Sequence, residues 1–232
     1  MHVRAAMLAL LIAAPVYAFT LDELRKSLSE YRGDSAMRVR IDATHRRGEG
    51  KGLKQSSGST MAEDDGTSVR LVHDKKELRK QLAKKDSDRT DHDVSAAEAM
   101  ELMNFGPSLI KLLEGATLKR AVPTTFEGSA ATLVEFVPVR EKDEDGDKYI
   151  KSFVDVVTLW LAPGNVPIAA ERTMKLKARI VIISAEFERK EKYRFARNGD
   201  RLIVTAHSED STSSGLGRSE KEAKSETVAV VK

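Results

Sequence analysis

Val157-Thr158-Leu159-Trp160-Leu161-Ala162-Pro163-Gly164-Asn165-Val166-Pro167-Ile168 is the stretch that decides the fold. Pro163-Gly164-Asn165 reads as a turn, because Pro presets φ while Gly and Asn tolerate positive φ. A long strand from Tyr149 to Leu161 leads into it, and Val166 to Lys177 leads out. In the second arm Ile168, Ala170, Arg172, Met174 and Leu176 oppose Ala169, Glu171, Thr173, Lys175 and Lys177, the period of two of a half-buried strand. So short a connection forces the arms to pair antiparallel, since a parallel crossover needs roughly a dozen residues or more.

The same texture continues toward the C-terminus. Arg179 to Phe195 is a further strand, and Asn198-Gly199 is the strongest short hairpin signal in the chain. A type I′ turn is expected there, joining a strand that ends near Arg197 to one that starts near Asp200. Leu202 to Ala206 follows. The Ser- and Gly-rich run from Ser208 to Ser219 reads as a loop, and Glu226 to Val231 as a last strand. Upstream, Ala131 to Pro138 is a strand, and Asp143-Glu144-Asp145-Gly146-Asp147 an acidic hairpin tip.

The first half of the chain mixes periods. Leu21, Leu24, Leu28 and Tyr31 line one face of a helix, with Thr20 and Glu23 in capping-box spacing and Gly33 at its end. Met37, Val39, Ile41 and Ala43 then alternate with polar residues as a strand. Arg46 to Gly52 is a turn, Leu53 to Ala62 a polar strand, and Asp65-Gly66 a hairpin turn into Ser68 to His73. Asp74 opens a short helix carrying Leu78 and Leu82, and the charged run from Lys84 to Asp93 is an exposed loop. Ser95 and Glu98 form a second capping box, opening a helix with Met100 and Met103. Gly106-Pro107 breaks it, and Ser108 caps another with Leu109, Ile110, Leu112 and Leu113. No internal repeat is present. The expected fold class is α+β: a curved antiparallel sheet, a half-barrel, with helices on its concave face.

Residues 1–18 have the order of an export signal. Arg4 is the only Lys or Arg before Arg25, Ala5 to Ala14 is unbroken and apolar, and Val16-Tyr17-Ala18 offers a cleavage site. The apolar run is about half the ~20 residues a membrane-spanning helix needs. The expectation is a cleaved signal, a periplasmic location, no membrane span after cleavage, and one domain over residues 19–232. With no cysteine, disulfides and thiolate metal sites are excluded. Charge is abundant but balanced, 39 Lys plus Arg against 36 Asp plus Glu. A net charge that small gives no global field for nucleic acid. The alternating run Glu186-Phe187-Glu188-Arg189-Lys190-Glu191-Lys192 reads as a solvated sheet face.

Catalytic signatures are few. His45, His73, His92 and His207 form no helical pair, and the acidic run at 143–147 lacks the spacing of a calcium loop. No nucleophile elbow occurs, and the Gly48, Gly50, Gly52 series does not open a helix. No catalytic residue, metal ligand or cofactor is assigned, and an enzyme is not expected. What remains is apolar: the two short helices from Ser95 to Glu114, whose Gly106-Pro107 break lets them move as a lid. Met100, Met103, Leu109, Ile110 and Leu113, with Trp160 as a wall, are the expected ligand-binding residues.

Two passages also resemble a known family: Thr124-Thr125-Phe126-Glu127-Gly128-Ser129-Ala130-Ala131-Thr132-Leu133, and the Val157 to Ile168 stretch with Trp before its turn and Pro after. Together with the signal, the N-terminal helix before an alternating strand and the helical insertion, they resemble the periplasmic lipoprotein-carrier superfamily of LolA and LolB. The resemblance implies an open β-barrel whose helices plug an apolar cavity for acyl chains or a lipidated partner. Some members instead act as sensors or regulators. The partners so implied are a lipid, a lipidated protein or a protein of the envelope. A module docking an envelope protein through a sheet edge, and a hydrolase with a site assembled only in the fold, stand as the other readings.

Overall fold

The structure is a computed structural model that describes residues 19–48, 52–72, 94–140, 147–180, 183–215 and 218–231. The signal at 1–18, the helix from Asp74, the loop at 84–93 and residues 143–146 of the acidic tip lie outside them.

Three helices of eight residues each are described: α1 (Leu21–Leu28), α2 (Ala96–Met103) and α3 (Gly106–Leu113). Thr20 and Glu23 complete the expected capping box on α1. On α2 the Ser95 hydroxyl accepts from the Glu98 amide, but the Glu98 side chain turns away to pair with Lys224. Helix α3 starts earlier than expected. Phe105 holds the cap position with no side-chain bond, and Pro107 sits in the first turn, where its missing N–H costs nothing.

The strands are β1 (Met37–Arg47), β2 (Lys54–Asp64), β3 (Val69–Val72), β4 (Thr117–Phe126), β5 (Ser129–Val137), β6 (Ile150–Ala162), β7 (Val166–Ile180), β8 (Ile183–Asn198), β9 (Arg201–Gly215) and β10 (Arg218–Val230). They form one antiparallel sheet in the order β3-β2-β1-β10-β9-β8-β7-β6-β5-β4. The last strand therefore lies between the first and the ninth.

The α+β, half-barrel expectation is corrected by this architecture. The described residues are mostly β, one open, curved sheet of ten strands with three short helices, and among them the sheet does not close. The difference comes largely from the Ser-rich run at 208–219. It is not a loop; residues 208–215 and 218–219 belong to β9 and β10, which pair as Ser208↔Ser225, Asp210↔Ala223 and Thr212↔Lys221. A strand wetted on both faces shows no hydrophobic alternation, so only its partners reveal it.

The Asn198-Gly199 turn is shifted by one residue. Asn198 pairs with Arg201, so the two loop residues are Gly199 and Asp200, and of these Gly199 alone has positive φ, +60°. That is the type II′ pattern rather than I′. Asp200 is fixed as a corner by the linker after α1: its carboxylate accepts from the amides of Asp34 (2.7 Å) and Ser35 (3.1 Å). The two-residue turn with both φ positive is Glu127-Gly128, at +50° and +84°.

The helices lie on one face of the sheet. Leu24, Leu28, Leu102, Met103, Leu109 and Leu113 pack with Val39, Ile41, Val134, Phe136, Leu159, Leu161, Leu202 and Val204 in one core. Full burial of each such aliphatic side chain is worth about 1.5–3 kcal/mol. The junction between α2 and α3 is tied down. The Phe105 amide donates to the Leu202 carbonyl (2.8 Å), the Leu202 amide to Asn104 Oδ1 (3.2 Å), and Asn104 Nδ2 to the Tyr31 carbonyl (3.0 Å). At Gly106 a Cβ would stand 2.8 Å from that of Tyr31, so the close approach requires glycine.

Candidate functional site

Sheet register assembles the site. Reading across the strands, Val157 (β6), Arg172 (β7), Glu191 (β8), Glu209 (β9) and Lys224 (β10) are successive partners. One step along, the row is Leu159, Ala170, Tyr193, His207 and Glu226. The first row carries charge across four adjacent strands, and the second runs from aliphatic through aromatic to acidic.

Helices α2 and α3 cover these rows incompletely and leave a cleft of about 740 Å³. Leu102, Phe105, Leu109, Leu112, Val139 and Val157 give its lining an apolar part. The lining also holds six carboxylates (Glu98, Glu101, Glu114, Glu191, Glu209, Glu226) against four cations (Lys111, Arg172, Arg189, Lys224). The volume is within the range of small-molecule sites.

Most of these charges are paired. Arg172 grips Asp155 with two bonds, 2.9 and 2.7 Å, and that contact raises its pKa even though burial opposes it. Arg189 Nη2 bridges Glu191 (2.6 Å) and Glu209 (2.8 Å). Lys224 lies between Glu98 and Glu226, the latter at 2.6 Å. Glu226 is fully enclosed; burial works to raise its pKa, but hydrogen bonds with His207 and Lys224 outweigh it and hold the carboxyl at about 2. The ring of His207 stacks on Tyr193, centroids 4.4 Å apart, and Phe105 closes over Tyr193 at 4.7 Å. Burial first, then the Glu191 charge, push the Tyr193 hydroxyl well above its usual range, so it is neutral.

The residues expected from sequence are spread over four surroundings. Leu109 lines the cleft. Met103 and Leu113 are in the core, and Ile110 packs partly buried against it. Met100 is exposed. Trp160 stands on the other face of β6, because Val157, Leu159 and Leu161 take the inward positions, and there it packs on Phe126 at 5.4 Å. The charged rows went unread for a physical reason: the run at 186–192 does put Lys190 and Lys192 outward, but the same alternation turns Glu191 and Tyr193 inward.

Among the described residues, Glu191, His207 and Glu209 could hold a metal ion, their ligand atoms lying within 4.8 Å of one another. No helix among them is long and apolar enough to cross a membrane.

No protein-family model matches the chain, and no curated protein matches it. Among solved structures, a LolA superfamily protein from Nitrosomonas europaea superposes with a TM-score of 0.36 at 11% identity, over 93% of this chain and 95% of that one. The likeness is one of distant fold, and nothing about function is carried across it.

Proposed function

We propose that the protein is an exported, non-enzymatic binding or carrier protein that holds an amphipathic molecule, a lipid or an acylated protein, in the cleft beneath α2 and α3. The observation that carries this reading is the cleft's mixed lining: apolar side chains from Leu102 to Val157 stand beside the charged row of β7 to β10. An acyl chain would lie along Leu109, Leu112 and Val139, and a polar head over the Arg172-Glu191-Glu209-Lys224 row. Since carboxylates outnumber cations in the lining, a head carrying an ammonium group suits it better than a bare carboxylate.

The clustered carboxylates are also what a hydrolase would need. However, Glu191 and Glu209 are bridged by one guanidinium, and Glu226 is held ionised, which favours fixed charge over proton transfer. Docking of a partner strand at the β4 edge is opposed by Pro123 in mid-strand and by the irregularity between Leu118 and Arg120.

The test is a fluorescent single-chain lipid with a choline head, titrated into the protein. Leu112→Gln and Val139→Gln should each weaken binding roughly tenfold or more, since burying an unpaired amide costs ~1–3 kcal/mol. No binding at all, or equal binding by both variants with unchanged melting curves, would refute the proposal.

A further inference from the structure

We propose that Glu191, His207 and Glu209 form a binding site for one divalent cation of the zinc class, and that Arg189 holds the cation's place when the metal is away. The inference does not depend on the lipid reading.

It begins with the register. Glu191 and Glu209 are direct partners on β8 and β9. Like charges directly opposite one another in a sheet are destabilising, the more so here because the Glu191 side chain is only 7% exposed. A cation between them is required. His207 lies two residues before Glu209, on the same face, and all three line the cleft. Donors in tetrahedral array at ~2.1 Å from an ion stand ~3.4 Å apart. The ligand atoms of these three residues lie within 4.8 Å of one another, so a bound ion would draw them together by up to about 1.4 Å.

The histidine is set for ligation. Its side chain is 9% exposed, and Nδ1 lies 2.5 Å from a Glu226 carboxylate oxygen, so that in the neutral imidazole the proton sits on Nδ1. Nε2 is left with a lone pair, buried and without a hydrogen-bond partner. A carboxylate holding one ring nitrogen while the other binds metal is the arrangement that orients histidine ligands and raises their basicity. An imidazole with two carboxylates suits zinc and its neighbours rather than calcium or magnesium, which take all-oxygen sets. Three protein ligands leave a fourth position, open toward the cleft.

Arg189 is the internal competitor. One nitrogen bridges both glutamates, yet its Nε is buried without a partner, so the side chain is only partly satisfied where it lies. At 38% exposure it has a path to solvent, where that donor meets water.

The experiment is calorimetric titration of zinc chloride into tag-free, chelator-stripped protein at neutral pH. One zinc per chain is expected. Glu209→Gln should weaken binding at least about tenfold, and Arg189→Met should tighten it by a similar factor because the competing guanidinium is gone. Both side chains are partly exposed, 22% and 38%, so the fold should bear the changes. Should either variant melt differently from wild type, nitrogen NMR of the wild type decides: the His207 Nε2 resonance must shift with one equivalent of zinc. Absence of binding in both wild type and Arg189→Met, unchanged affinity in Glu209→Gln, weaker binding in Arg189→Met, or an unmoved Nε2 resonance would each overturn the proposal.

Discussion

Arg201 carries a full charge into a place where its side chain is 3% exposed. Its guanidinium lies 2.8 Å from Asp64 at the end of β2 and donates to the Ser35 and Gly33 carbonyls in the linker after α1. One side chain thus joins the start of β9, the end of β2 and the exit of α1. Removing one partner of a buried pair leaves the other charge unpaired in a poor solvent. Arg201→Leu should therefore destabilise by ~3–5 kcal/mol, read from the urea midpoint. The double variant Arg201→Leu, Asp64→Leu should be less damaged than the sum of the single changes. Additive losses would show that the two side chains do not act as a pair.

At the scale of elements, the turn at 198–201 offers the cleanest separation of backbone from packing. A Cβ on Gly199 would meet nothing within 4 Å, so any cost of a side chain there comes from φ alone. Gly199→Val should cost ~1–3 kcal/mol, and Gly199→Asn clearly less, in thermal unfolding. Equal stability of the two variants would mean that the positive φ is not enforced. The turn's existence was legible in Asn198-Gly199, but its register was not, because Asp200 is held by Asp34 and Ser35, far away in sequence. The same division runs through the molecule. Alternation revealed β1 and β7, and capping-box spacing marked the starts of α1 and α2. β9 beyond Ser208 and β10 before Glu226 showed no pattern, being polar on both faces. The cleft was harder still: α2 and α3 were legible as its cover, whereas its floor exists only once four strands are in register and their interior charges meet.

For the whole molecule, the decisive fact is that β10 sits between β1 and β9. It pairs with β1 from Val39↔Val230 to Arg47↔Glu222, and with β9 from Ala206↔Thr227 to Gly215↔Arg218. It also supplies Lys224 and Glu226 to the cleft. A chain ending before Arg218 should lose its cooperative urea transition, and a peptide of residues 218–231 should restore it. A truncated chain that still unfolds in one sharp transition would contradict this. The position of β10 also sets a timetable for synthesis. A ribosome adding ~5–20 residues per second needs roughly ten to fifty seconds to reach Arg218–Val230, which follow the other described strands in the chain. Until then the β1–β3 piece and the β4–β9 meander have no seam to share. A nascent chain so arranged keeps its two pieces unjoined until the seam strand between them has been made.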